Sequence, residues 1–166
     1  MSIKTIQDLF VHELSGVHNA ERQLTQSLPK LARAAKDPML ADAFSLHLDE
    51  TNGQIKRIER IVEGLGIKLT RIRWAAMEGL VEENKEIIES IDRGPLRDAA
   101  LIGGAQKVEH YEIACYGTLA ALARQLGYEE ALQLLLETLD EEKATDEKLT
   151  GLALGGGNQK AESGRA

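Results

Sequence analysis

The sequence predicts an all-α protein, and three observations carry that reading. Apolar residues recur every three or four positions over nearly the whole chain, the spacing of one helix face. Glycine and proline cut it into a few long segments instead of many short ones. Aromatic residues are only 4% of the 166, too few for the strands of a β-sandwich. With 43% apolar and 28% charged residues, the chain can bury one substantial core and is too short for two ordinary domains.

The first segment runs from about Ile3 to Lys36 on Ile6, Phe10, Leu14, Val17, Leu24, Leu28 and Leu31, with a kink expected at Pro29. Asp37 suits an N-cap and Pro38 the first helical position, so a second segment runs to about Glu63 through Leu40, Ala43, Phe44, Ile58, Ile61 and Val62. Gly64 and Gly66 stop it. A third segment restarts near Pro95 and runs to about Leu126 on Leu101, Ala105, Val108, Leu119 and Leu122. The fourth runs from about Glu129 to Leu154 on Leu132, Leu135, Leu136, Leu139 and Leu149.

The connections within each pair are short, which makes antiparallel neighbours. The connection between the pairs, from about Leu65 to Gly94, is long and holds its own helical stretch near Trp74 to Ile91. Two antiparallel helical hairpins joined by one long crossover with an extra helix is the topology of a ferritin-like four-helix bundle. The bundle domain is expected over 1–154, followed by a glycine-rich mobile tail over 155–166.

Charge and cysteine content exclude other classes. The net charge of -7, from 27 acids against 20 bases, repels phosphate backbones and anionic headgroups, so neither nucleic acid nor a membrane surface is the expected partner. Cys115 is the only cysteine, which rules out an intramolecular disulfide and a thiolate zinc site built from one chain. Met1-Ser2-Ile3-Lys4 leads straight into an amphipathic pattern without a secretory apolar run, and no stretch approaches a membrane span, so a cytoplasmic protein is expected.

An amphipathic helix keeps charge off its apolar face, so acids that break this rule are informative. Glu21 falls on the stripe of Phe10, Leu14, Val17, Leu24 and Leu28. The face of Ala43, Ile58 and Ile61 carries His47, Glu50 and Gln54. Glu109 and Glu112 sit among Ala105, Val108, Cys115 and Leu119, and Glu142 and Asp146 continue the line of Leu135, Leu139 and Leu149. Counted from the two hairpin turns at ~1.5 Å per residue, Glu21, Glu50, Gln54, Glu109, Glu112, Glu142 and Asp146 fall about thirteen to nineteen residues down, which places them in one layer at the bundle's middle. One such acid alone reads as a snorkelling side chain or half of a salt bridge. Four helices agreeing in depth, with no Lys or Arg at the centre and only Arg57 and Lys143 near the edge, call for metal cations. Carboxylates with one or two nitrogen ligands and no thiolate suit iron or manganese, and paired glutamates inside a four-helix bundle are a di-metal arrangement. His47 reads either as a ligand or as a hydrogen-bond donor to a liganding Glu50. Tyr116 lies on the core stripe, where it packs, relays electrons or bonds a ligand. Trp74 reads as an anchor that buries the crossover over the bundle.

The runs Val108-Glu109-His110-Tyr111-Glu112-Ile113-Ala114, Leu139-Asp140-Glu141-Glu142-Lys143-Ala144-Thr145-Asp146 and His47-Leu48-Asp49-Glu50-Thr51-Asn52-Gly53-Gln54 resemble the YciE/YciF group of bacterial ferritin-like stress proteins, a likeness that covers nearly everything from Ile3 to Leu154. It implies a ferritin-like bundle with a crossover helix, a homodimer or a pairing with a homologous ferritin-like protein, a stress response and a centre of two Fe or Mn ions. The superfamily's glutamate on each helix maps to Glu21, Glu50, Glu109 and Glu142. The superfamily's frequent histidine three residues after a glutamate is missing: those positions hold Gly53, Glu112 and Thr145, which leaves His47, Gln54 and Asp146 for the remaining ligand roles. The leading expectation is an oxidoreductase that handles peroxide or dioxygen at two metals bridged by Glu50 and Glu142 or Glu109, with Glu21 and Glu112 terminal. The alternative is a metal-poor structural or oligomerising protein without catalysis. Mineral storage ranks last, since a dimer has no interior to fill.

Overall fold

The computed structural model describes residues 3–164. Its helices are α1 (Ile6–Ala34), α2 (Pro38–Leu65), α3 (Ala75–Ser90), α4 (Pro95–Leu126), α5 (Glu129–Leu152) and α6 (Asn158–Ser163), with a π-helical turn at Ala153–Gly157 before the last. Each boundary has a local cause. Thr5 and Asp8 form a reciprocal capping box at the start of α1, which runs on through Pro29 without ending there. Asp37 accepts from the Met39 N–H at 2.9 Å to start α2, with Pro38 next in line. Gly66 and Gly127 close α2 and α4 at φ 61° and 71°, a left-handed conformation that a side chain would strain.

α1 packs along α2 and α4 along α5, and the two hairpins face each other through α1 against α4 and α2 against α5. The turn between α1 and α2 is tied to the start of α4: the buried Asp98 carboxylate accepts from the Lys36 and Asp37 N–H groups at 2.7 and 2.9 Å. This is the ferritin-like arrangement, two antiparallel hairpins joined by a crossover that carries α3 across α1 and α4.

Two helix glycines seat that crossover. A Cβ on Gly16 would lie 2.5 Å from the Trp74 ring, so the indole fills the space a side chain would take on α1. Trp74 also donates from Nε1 to the Tyr111 hydroxyl and meets His12 edge-on at 5.6 Å between ring centres. On α4, a Cβ at Gly104 would collide with Asn84 of α3.

The glycine-rich end departs from expectation. Over its described residues it does not trail away; it turns at Gly156, φ 119°, into α6, which lies against α4. Leu152 and Ala153 pack on the core, and Lys160 reaches Asp37 at 3.2 Å. Glycine allows the reversal, and these contacts give the segment something to bury.

The core divides into two clusters. The break falls between Val17 and Ala20 on α1, Phe44 and Ile58 on α2, Val108 and Tyr116 on α4, and Leu139 and Leu149 on α5. Each fully buried large apolar side chain on either side contributes about 1.5–3 kcal/mol. The layer between them is polar.

Candidate metal centre

His47 on α2, Glu109 and Glu112 on α4, and Glu142 on α5 meet in that layer, each offering a ligand atom, and these atoms lie within 4.8 Å of one another. All four residues are buried, with Glu109 and Glu142 at 0% exposure. His47 Nδ1 stands 3.2 Å from Glu109 Oε1, and its Nε2 stands 3.7 Å from Glu142 Oε2. Both oxygens of Glu109, both of Glu112, Glu142 Oε2 and His47 Nε2 have no hydrogen-bond partner in the protein. Buried polar atoms are ordinarily paired, so six orphans at one point are a set awaiting a shared partner.

Glu21 on α1 joins the layer, fully buried, its Oε1 accepting from the Tyr116 hydroxyl and its Oε2 unpaired. Gln54 donates from Nε2 to Glu142 and, at 3.2 Å, to Glu141, while its own Oε1 is unpaired. Arg57 closes the flank outside, held by Glu137 and Glu141 at 2.6 Å each. Among the described residues no lysine or arginine is buried, so the layer contains no permanent cation of its own.

The electrostatics follow from that deficit. Burial, then the Glu142 charge, push the Glu21, Glu109 and Glu112 carboxyls well above the usual carboxylate range. Burial carries Glu142 up to about 7, opposed by the hydrogen bond it accepts from Gln54. Burial also drives His47 down to about 4, so its imidazole is neutral and free to act as a ligand. Such a group holds protons at neutral pH unless a cation replaces them. The donor set of hard carboxylate oxygens, one imidazole and one carboxamide, without sulfur, fits iron or manganese.

Of the residues singled out from sequence, Glu21, His47, Gln54, Glu109, Glu112 and Glu142 are brought together, and Glu50 and Asp146 are not. Glu50 is half-buried and accepts from Thr145 at 3.3 Å. Asp146 is half-buried, 3.2 Å from His110 and accepting from Gln106 at 3.2 Å. The cause is a one-residue rotation: the buried line of α2 passes through His47, Thr51 and Gln54, and that of α5 through Glu142, Thr145 and Leu149. Two polar residues escaped the sequence reading. Thr51, at 0% exposure with its hydroxyl unpaired, lies one turn from His47, and Asn84 on α3 is buried with Oδ1 unpaired. The spacing Met77, Val81, Asn84, Ile88 puts Asn84 on the apolar stripe of α3, and that was the available signal.

A model of the family described as "Domain of unknown function (DUF892)" matches residues 5–162. Protein YciF of Escherichia coli strain K12 is 58% identical over 164 residues, covering 98% of this chain and 99% of its own. The crystal structure of the E. coli stress protein YciF matches with a TM-score of 0.92 and 57% identity, over 95% of this chain and 99% of that one. YcfI from Rhodopseudomonas palustris matches with a TM-score of 0.85 and 40% identity, over 90% and 95% of the two chains. Among the described residues no helix is long and apolar enough to cross a membrane.

Proposed function

The chain belongs to the DUF892 family, with YciF as a near full-length relative, and on that footing we propose that it is a ferritin-like di-metal carboxylate protein that handles peroxide or dioxygen in a stress response. One observation carries the reading: His47, Glu109, Glu112 and Glu142 turn unpaired ligand atoms toward one another in a layer with no buried base. A structural core gains nothing from this, since each unpaired buried carboxylate costs several kcal/mol. These four residues would hold one ion, and Glu21, in the same layer, would help to hold a second; Gln54 and Tyr116 fix Glu142 and Glu21 by hydrogen bonds. Iron or manganese there supplies a one-electron couple, and the protein's own part is to hold the ligands, exclude bulk water and keep His47 neutral.

Metal analysis of protein purified from iron-replete and from manganese-replete cultures tests this. Two tightly held redox metals per chain are expected. A folded protein without bound metal from both cultures would leave a structural or oligomerising role in its place.

A further inference from the structure

Among the described residues, one hydrogen-bond chain leads from the candidate metal centre to solvent, and it runs along the seam between α2 and α5. Gln54 donates from Nε2 to the buried Glu142 and, at 3.2 Å, to Glu141 Oε2. Glu141 holds Arg57 through both oxygens, 2.7 Å from Nη1 and 2.6 Å from Nη2, and Nη2 also donates to Glu137 at 2.6 Å. Side-chain exposure goes from 0% at Glu142 to 27% at Glu141 and 58% at Glu137. The opposite side of the layer is roofed differently: there α3 crosses α1 and α4, and Leu80, Val81, Ile87 and Ile88 pack against the core.

Two features make this seam more than a surface ion pair. The first is charge. Arg57 is one cation shared by Glu137 and Glu141, and Glu50 stands on the same rim, close enough for the charges of Glu141, Lys148 and Arg57 to act on it. Three acids face two bases, so an approaching cation is drawn in. Glu137 keeps the guanidinium when Glu141 releases it, so opening the seam strands no charge. The second feature is Gln54. It is 1% exposed, and its Oε1 has no partner, like Oε2 of the neighbouring Glu142. A buried amide with its N–H end engaged and its oxygen idle is only half satisfied. An ion between Glu141 and Glu142 repels that N–H end, and turning the amide end for end brings Oε1 to the ion.

We propose that the α2/α5 seam is the entrance by which a divalent cation reaches the buried layer, with Arg57 as the latch on Glu141 and Glu141 as the carboxylate that passes the ion to Glu142 beside the Gln54 amide. The proposal rests on the metal reading for its cargo and on the hydrogen-bond chain for its route. Until an ion arrives, the guanidinium takes its place at Glu141. Glu141 is thereby a residue of entry and not of the finished centre.

Stopped-flow mixing of metal-free protein with Co(II) tests it, since the visible bands of cobalt grow as the ion exchanges water for protein ligands. Glu141→Gln is expected to slow uptake at least tenfold at unchanged final cobalt content, and Arg57→Gln to speed it at least threefold. Asp140→Asn and Lys143→Gln make the same charge changes on exposed neighbours and are expected to shift the rate by less than twofold. Both seam variants break one ion pair, so a merely structural pair would move both rates the same way or neither. Uptake by Glu141→Gln at the wild-type rate, or a shift of both variants in one direction, would overturn the entrance while leaving the centre in place. A wild type that takes up no cobalt would sink the metal reading, and the entrance with it.

Discussion

His47 Nδ1 on α2 stands 3.2 Å from Glu109 Oε1 on α4, and burial keeps that imidazole uncharged at neutral pH. A neutral ring beside an unpaired carboxylate is poor as a salt bridge and good as two ligands on one ion. The same holds across the layer, where carboxylates from α1, α4 and α5 face one another without a buried base.

Glu109→Gln separates stability from binding. The substitution keeps the volume and removes a carboxyl that burial forces to stay protonated at neutral pH, so metal-free protein is expected to gain about 1–3 kcal/mol, or ~2–4 °C in Tm per kcal/mol for a chain of this size. Affinity for Mn(II) is expected to fall by more than tenfold. Calorimetry on metal-free samples and equilibrium dialysis read the two effects, and a less stable variant with intact affinity would show that Glu109 is a structural residue.

Stability against pH follows from the shifted acids. Glu21, Glu109, Glu112 and Glu142 all have folded-state values raised above their unfolded ones, so their contribution is complete below about 4.5 and is lost as pH rises, with Glu142 passing through about 7. His47 acts in the opposite sense: its lowered value costs stability as pH falls from 6.5 toward about 4. Four acids outweigh one histidine. Metal-free protein is therefore expected to have a lower Tm at pH 8 than at pH 6, and saturating Mn(II) is expected to remove or reverse the difference. Thermal scans with and without metal decide it, and a metal-free Tm that rises over this interval contradicts the assignment.

Tyr116→Phe removes the donor to Glu21 and leaves that carboxyl with neither oxygen paired. A loss of about 1–3 kcal/mol is expected in metal-free protein. In a double-mutant cycle with Glu21→Leu most of that loss should vanish, because the leucine needs no donor. Additive effects would mean that Tyr116 acts only by packing.

The bundle was legible because its signals are local. Period, caps and stops at Asp37, Gly66 and Gly127 are written in adjacent residues, and the long crossover fixes the topology. The layer was legible as well, since Glu21, Glu109, Glu112 and Glu142 break apolar stripes at one depth. What a helical wheel could not resolve is rotation by one position, which moved Glu50 and Asp146 to the rim and put Thr51 and Thr145 on the buried lines. The spacing on α3 marks Asn84 as a polar residue on an apolar stripe, but its seat at Gly104 and the seating of α6 on Asp37 depend on contacts between segments far apart in sequence, and no local pattern encodes those.

The crossover's attachment is testable at Gly16. Gly16→Ala pushes a methyl into the Trp74 ring, and a loss of about 1–3 kcal/mol is expected from overpacking. With Gly16→Leu the strap should lift, and trypsin should cut at Arg71 and Arg73 much faster while the helical content is kept. Unchanged cleavage would show that the indole is not what holds the strap down.

The central claim is most directly tested by anomalous diffraction at the iron edge from crystals soaked in Fe(II) without oxygen. The account predicts a peak enclosed by His47, Glu109, Glu112 and Glu142, with a second beside Glu21. A map with no peak in the bundle interior, or with iron only on surface carboxylates, would contradict it.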